Sequence, residues 1–324
     1  MIKKERPLPP IIRKLTALAR RLPTTHPKQP FIEKDLGRYR SGYHGEQSLD
    51  YPLSFLPKKT FHILHSLRLA DKDSHFFQMD TILLARNFIL ILEVKNISGT
   101  VTFDELFRQL IRTSGDNQEE AFTDPLLQVE NQKSQLELWL QVHQFPPIPI
   151  EKLVVFANSS TLIRTSPGNP KRYENVIHSE ELRAQVGRFT RENQKEWLSE
   201  KEFRKLSRTL IRNNIPDDPD ILARYSVAET DLLKGVHCPE CGKLPMERAH
   251  GTWVCGSCGA TSNSAHVEAL RDYALLVRPK ITNQQLRDFL RLSSRTTAYK
   301  ILKAMSLEHA GIKRGRTYRL SFDE

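Results

Sequence analysis

The sequence contains no run of eighteen apolar residues, so it offers no helix able to span a bilayer. Cysteine is scarce: there are four, all between positions 238 and 258. A secreted disulfide framework spreads its cysteines, whereas a cluster this local points to a metal site in a reducing compartment. No apolar leader follows the basic start, because Pro7, Pro9 and Pro10 and then Arg13 and Lys14 interrupt it. No signal peptide and no membrane partner are therefore expected, and a cytoplasmic location is. Core-forming residues are not lacking. Hydrophobic residues make up 39% and charged residues 27%, which excludes global disorder, and 14 glycines in 324 residues exclude collagen-like order. The length suggests about two domains, or one with small modules.

Charge is distributed unevenly. Of the net +11, residues 1–40 carry +8, residues 41–160 carry −5, residues 161–236 carry +2 and residues 267–324 carry +6. Basic ends flanking an acidic middle suit either a solvated surface or a polyanionic partner such as nucleic acid.

The texture along the chain divides it further. Residues 1–40 hold six prolines and no sustained period, and read as a basic N-terminal arm with one short helix over Ile11–Leu22. Phe61–Leu67, Phe76–Ala85 and Phe88–Lys95 are apolar runs of strand length. Asp124-Pro125 reads as the N-cap and first residue of a helix running to Val142, and Lys152–Ala157 as another buried strand. Strand, strand, strand, helix, strand implies an α/β layer over residues 41–160. Residues 161–236 read as a helical connector, with amphipathic helices from Ser179 and over Gln194–Arg212. A small cysteine module over 237–262 and a helical tail over 266–324 follow.

If Phe76–Ala85 and Phe88–Lys95 form a hairpin turning at Arg86-Asn87, Asp80 lies opposite Glu93. The strand period of two then puts Lys95 on the same face. Two opposed carboxylates need compensating positive charge, which Lys95 and a divalent cation would provide. Hard carboxylate oxygens suit Mg²⁺ or Mn²⁺, and such a site suits phosphodiester hydrolysis, with the metal acidifying a water and Lys95 orienting it or neutralising the phosphorane. The same residues also describe charges at a solvent-exposed strand end.

Gly45-Glu46, Gln78-Met79-Asp80, Glu93-Val94-Lys95-Asn96 followed by Gly99, and Asp124-Pro125-x-x-Gln128 occur in that order. Together they resemble the nuclease-related domain family, a branch of the PD-(D/E)XK nuclease superfamily, over about residues 42–160. The resemblance implies an αβββαβ, restriction-endonuclease-like core. It also implies catalytic and metal-binding roles for Asp80, Glu93 and Lys95, with supporting roles for Glu46 and Gln128. Met79 stands where the superfamily name has proline. Pro52 falls in the helix that Glu46 should begin, and would kink or shorten it. On the helix after Asp124, Leu126, Val129, Leu136 and Leu140 form an apolar stripe, while Gln128, Gln132 and Gln135 form a polar line. The polar line reads as a solvated amide face at Gln132 and Gln135.

Cys238-x-x-Cys241 and Cys255-x-x-Cys258 have the spacing of two knuckles around one structural Zn²⁺, each followed by glycine. Four thiolates leave no open coordination position, and His237 and His250 are surplus to them. The tail resembles a winged helix-turn-helix. Thr282 caps a helix through Leu290, Ser293 or Ser294 caps the next, and Arg295, Thr296, Thr297 and Lys300 begin the helix that would meet bases. Lys313, Arg314 and Arg316 would meet phosphates. The combined expectation is a metal-dependent nuclease with DNA-binding accessory modules. The alternative is a non-catalytic DNA-binding or regulatory protein on the same scaffold.

Overall fold

The structure is a computed structural model that describes the chain apart from residues 166–169, 313–314 and 323–324. It forms two compact units: Met1–Pro9 with Arg38–Asp217, and Pro10–Gly37 with Asp218–Glu324. In chain order the elements begin β1 (Ile2–Lys4), α1 (Pro10–Arg21), α2 (Gln29–Ser48) and α3 (Asp50–Ser54). Then come β2 (His62–Ala70), β3 (Phe76–Leu84), β4 (Ile89–Lys95), β5 (Thr100–Asp104), β6 (Gln109–Thr113) and β7 (Glu119–Thr123). α4 (Pro125–Val142), β8 (Ile150–Phe156), β9 (Leu162–Thr165), β10 (Val176–His178), α5 (Leu182–Glu192) and α6 (Glu200–Arg212) complete the first unit.

The first unit is built on a six-stranded mixed sheet in the order β1-β2-β3-β4-β8-β10. β2–β3 and β3–β4 are antiparallel; β4–β8 is parallel and is reached across α4. Apolar side chains cover both faces. Leu90, Leu92 and Val155 pack with Leu53 of α3 and Val186 of α5, while Ile89, Ile91 and Val154 pack with Val129 and Leu136 of α4 and Leu206 of α6. A strand buried on both faces needs no polar alternation, which is why β4 begins Ile-Leu-Ile-Leu. The order helix, three strands, helix, strand is present in α2 through β8.

A second, four-stranded sheet, β7-β6-β5-β9, is inserted largely between β4 and α4. The sequence does not announce it: β5 buries only alternate residues and β7 almost none, so no apolar run marks either strand. The expected arm over 1–40 is corrected as well. Ile2–Lys4 is an edge strand parallel to β2, and residues 10–48 carry two helices. The helix expected over Gln194–Arg212 starts at Glu200, where Ser199 and Glu202 form a capping box that sets the boundary.

The second unit contains α1, α7 (Ile221–Tyr225) and a three-stranded sheet of β11 (Glu247–Ala249), β12 (Thr252–Val254) and β13 (Thr261–Ser262). These are followed by α8 (His266–Leu276), β14 (Lys280–Thr282), α9 (Asn283–Leu290), α10 (Arg295–Ala304), β15 (His309–Ala310) and β16 (Thr317–Arg319). β14, β16 and β15 form a small antiparallel sheet beside the three helices. Thr282 caps α9 and Ser294 caps α10. The cysteine segment and the helices share one core, in which Met246 and Trp253 pack with Leu270, Phe289 and Leu302. α1 joins through Arg21, whose buried guanidinium donates to Asp272 Oδ2 at 2.7 Å and to Gly235 O at 2.8 Å. No helix among the described residues is long and apolar enough to cross a membrane.

Candidate active site and metal centre

The β3–β4 ladder runs Leu84↔Ile89 to Thr81↔Leu92, the register the hairpin reading requires, and stops one pair short of Asp80 and Glu93. An irregularity explains the stop. On the other side of β3 the pairing passes from His65↔Thr81 to Leu67↔Met79, omitting Ser66 and Asp80, and Ser66 has a left-handed φ of 48°. Beyond this point Leu67 and Met79 join the core that Leu64 and Ile82 join, so the alternation of both strands has slipped by one. A kink of this kind re-aims a side chain. Asp80 Oδ2 accepts the Val94 amide at 2.9 Å, in place of a ladder bond.

Glu93 is only 2% exposed. Its Oε1 accepts from Lys95 Nζ at 2.7 Å and its Oε2 from Gln132 Nε2 at 2.8 Å. Lys95 Nζ also donates to Gln128 Oε1 at 3.0 Å. The two glutamines are one helical turn apart on α4 and so share a face. α4 is fixed at its start by Asp124, whose Oδ1 caps the Leu126 amide at 2.8 Å and whose Oδ2 accepts from Arg172 at 3.0 Å. Gln132 is buried, which corrects its reading as a solvated amide, and it also donates to Gln78 O at 2.9 Å. Its Oε1 is buried without a hydrogen-bond partner. Gln135 is half-buried.

Glu46 sits near the end of α2, not at its start, and Pro52 falls in the separate short helix α3, where it disturbs nothing in α2. A Cβ at Gly45 would collide with Asn96 Cβ, so the glycine lets α2 approach the end of β4, where Asn96 Nδ2 donates to Ser41 O at 2.8 Å. Arg6, carried just beyond β1, pairs with Glu46 at 3.3 Å and Asp50 at 2.7 Å and approaches His65 Nδ1 at 2.8 Å. Lys4 donates to the carbonyls of His65 at 2.6 Å and Ser66 at 3.0 Å. Sequence reasoning missed Lys4, Arg6 and His65. A parallel pairing to a strand some sixty residues away leaves no local period to read.

The electrostatics of the cluster are unbalanced. Desolvation, then the charges of Glu93 and Glu46, hold the Asp80 carboxyl well above the usual carboxylate range, against Lys95 and the Val94 amide. Burial pushes Glu46 up to about 7, with Glu93 adding to the shift and Arg6 opposing it. Like charges in a desolvated site raise one another in this way, and a cation relieves them. Among the described residues, Glu46, Asp80 and Glu93 do not close to within 4.8 Å of one another as a three-ligand set. Carboxylate oxygens such as those of Asp80 and Glu93 are the donor type that suits a hard divalent cation, and Gln132 Oε1, beside Glu93, is buried without a partner.

Cys238, Cys241, Cys255 and Cys258 bring their sulfurs within 4.8 Å of one another, with Cys238–Cys258 and Cys241–Cys255 separations of 3.6 Å. A tetrahedral site with bonds of about 2.3 Å has sulfur–sulfur edges of about 3.8 Å, so the set can hold a metal such as zinc. The two knuckles have the same backbone. Gly242 and Gly259, at φ 70° and 72°, donate to the carbonyls of Cys238 and Cys255, each at 3.0 Å. Backbone amides of Cys258 and Ser257 pull the Cys255 thiol down to about 6.

In the tail, Asn283, Arg287, Arg295, Thr296, Tyr299 and Arg316 line a groove of about 890 Å³ with no carboxylate in its wall among the described residues. Of the expected nucleic-acid contacts, the structure brings Arg295, Thr296 and Arg316 together there. Thr297 is half-buried with its amide on Ser294 Oγ, and Lys300 is exposed on α10 outside the groove lining. Lys313 and Arg314 lie outside the described residues.

No curated protein and no solved structure matches the chain. Residues 41–157, the stretch from the Ser41–Asn96 contact to the end of β8 that supplies Glu46, Asp80, Glu93, Lys95, Gln128 and Gln132, match the family model of the nuclease-related domain.

Proposed function

We propose that the protein is a metal-dependent nuclease that hydrolyses phosphodiester bonds, with DNA as the favoured substrate. The observation that carries this reading is the single network of Glu93, Lys95, Gln128 and Gln132, with Asp80 docked on the neighbouring Val94 amide, inside a nuclease-related domain. Asp80 and Glu93 would hold a divalent cation, Mg²⁺ or Mn²⁺, which when bound supplies charge stabilisation to the phosphate and acidifies a water. Lys95, held by Glu93 and Gln128, presents its ammonium where charge develops on a scissile phosphate. Gln132 anchors the far oxygen of Glu93. Glu46, placed by Gly45 and steadied by Arg6, is a positioning residue for this cluster. The four cysteines are read as a zinc ribbon with a structural Zn²⁺, and α8–α10 with β14–β16 as a winged helix-turn-helix whose arginine groove contacts nucleic acid.

One observation favours the second reading, a non-catalytic DNA-binding or regulatory protein. Both oxygens of Glu93 are already engaged by protein donors, as a purely structural ion pair would be. Incubating the full chain with plasmid DNA, single-stranded DNA and RNA, with Mg²⁺, Mn²⁺ or EDTA, decides between them. Cleavage that requires added metal is the expected result. Absence of cleavage on all three substrates with either metal supports the second reading.

A further inference from the structure

A groove of about 650 Å³ lies in the first unit between β1, the start of β2 and one face of α6. Its rim is basic: Lys3, Lys58, Lys59, Arg204 and Arg208, with Glu200 the one carboxylate in the lining among the described residues. Glu200 is taken by Arg204 at 2.6 Å. The α6 residues recur every three or four positions from Glu200 to Ile211, so one helix face lines the groove for about 16 Å. The rim cations are exposed and spread along this length, which suits a chain of phosphates better than one small anion. The lining aromatic Phe203 is buried, its ring tilted against that of His62 at 4.2 Å between ring centres, so it does not offer an open face to a base. Contacts would therefore be to the backbone and independent of sequence.

Its position gives the groove a use. His62 pairs with Leu84, which pairs with Ile89, so the groove lies at the end of the central strands opposite Glu93 and Lys95. Six residues of β4 separate the two ends, about 20 Å. α6 packs into the same core as α4, so groove and cluster are on the same face of the sheet. At 3.4 Å per step, 20 Å corresponds to about six base pairs.

We propose that this groove is a second anchoring site on the nuclease unit, binding the phosphodiester backbone of a nucleic acid about six nucleotide steps from the bond at Asp80, Glu93 and Lys95. The anchoring distance rests on the nuclease reading; the binding itself does not.

The test is anisotropy of labelled duplex DNA, single-stranded DNA and RNA with the full chain in EDTA, titrated at several salt concentrations. The variant carries Lys58→Glu, Lys59→Glu and Arg208→Glu. A control carries Lys72→Glu, Arg183→Glu and Arg191→Glu, the same change of net charge at exposed positions outside the groove. The groove variant is expected to bind at least tenfold more weakly than the control, with the slope of log K against log salt reduced by about 2–3 for duplex DNA. The three ligands show which backbone is preferred. Equal affinities for the two variants, or no binding by the wild type, overturn the proposal. Cleavage of bis(p-nitrophenyl) phosphate with Mn²⁺, too small to reach the groove, is read alongside. Its absence in the wild type counts against the nuclease reading and leaves the binding result standing.

Discussion

His65 shows how much of the site depends on single side chains that carry no obvious chemistry. It is buried, with Nδ1 facing the Arg6 guanidinium at 2.8 Å and the Thr81 hydroxyl at 3.0 Å. Burial first, then the Arg6 charge, holds its imidazole down at about 4. The unfolded chain takes up this proton near pH 6.5, before the folded one does. The stability contributed by neutral His65 is therefore complete above pH 6.5 and lost as pH falls toward 4, by up to about 3 kcal/mol. Urea unfolding of wild type and His65→Gln between pH 7 and 4.5 should show the wild-type stability falling more steeply. Parallel curves would mean that the proton is not excluded. The β3–β4 register as far as Thr81 and Leu92, and the placing of Glu93 and Lys95 on one face of β4, were legible in the sequence because a tight hairpin and a period of two fix them. The kink at Ser66 was not, because a left-handed serine has no local signature. The burial of Gln132 was half-legible: its spacing from Gln128 placed it on the right face, but only the packed sheet shows that this face points inward.

At the scale of elements, the close approach of α2 to β4 is the most exposed assumption of the site. Gly45→Ala should destabilise the first unit by about 1–3 kcal/mol, because the new methyl meets Asn96 and the helix must move. Gly42→Ala, on the same helix with open space at its Cβ, should be neutral or stabilising by up to about 1 kcal/mol. Thermal melts of both variants decide this; equal shifts would mean that α2 is not held against β4. The cysteine segment makes its own demand. Its core is shared with the tail helices, and short strands of two or three residues cannot hold four sulfurs together unaided. Purified protein should contain about one zinc per chain, and a strong chelator should unfold the second unit cooperatively. Retention of the full melt in zinc-free protein would contradict the assignment. These elements were readable where a motif sets a backbone turn, as at the two cysteine knuckles and the Thr282 and Ser294 caps. β5–β7 were not readable, since a half-exposed sheet of short, charged strands has the composition of a loop.

For the whole molecule, the charge pattern acquires an anatomy. The basic N-terminal stretch is not an arm. It supplies Lys3 to a groove, Lys4 and Arg6 to the edge of the carboxylate cluster, and Arg21 to the core of the second unit. Removing the tail would strip that second core of Leu270, Phe289 and Leu302, so its nucleic-acid role is better tested by substitution than by truncation. The central claim is that Lys95 acts on a phosphate held by the Asp80–Glu93 site. Lys95→Ala also leaves buried Glu93 without its cation, which should cost about 1–3 kcal/mol, so activity must be compared at a temperature where both proteins are folded. The most direct measurement is the single-turnover rate of Mn²⁺-dependent DNA cleavage for wild type and Lys95→Ala under those conditions. A loss of about 10²–10³-fold with the fold intact is the expected result. A Lys95→Ala protein that cleaves at the wild-type rate would contradict the account.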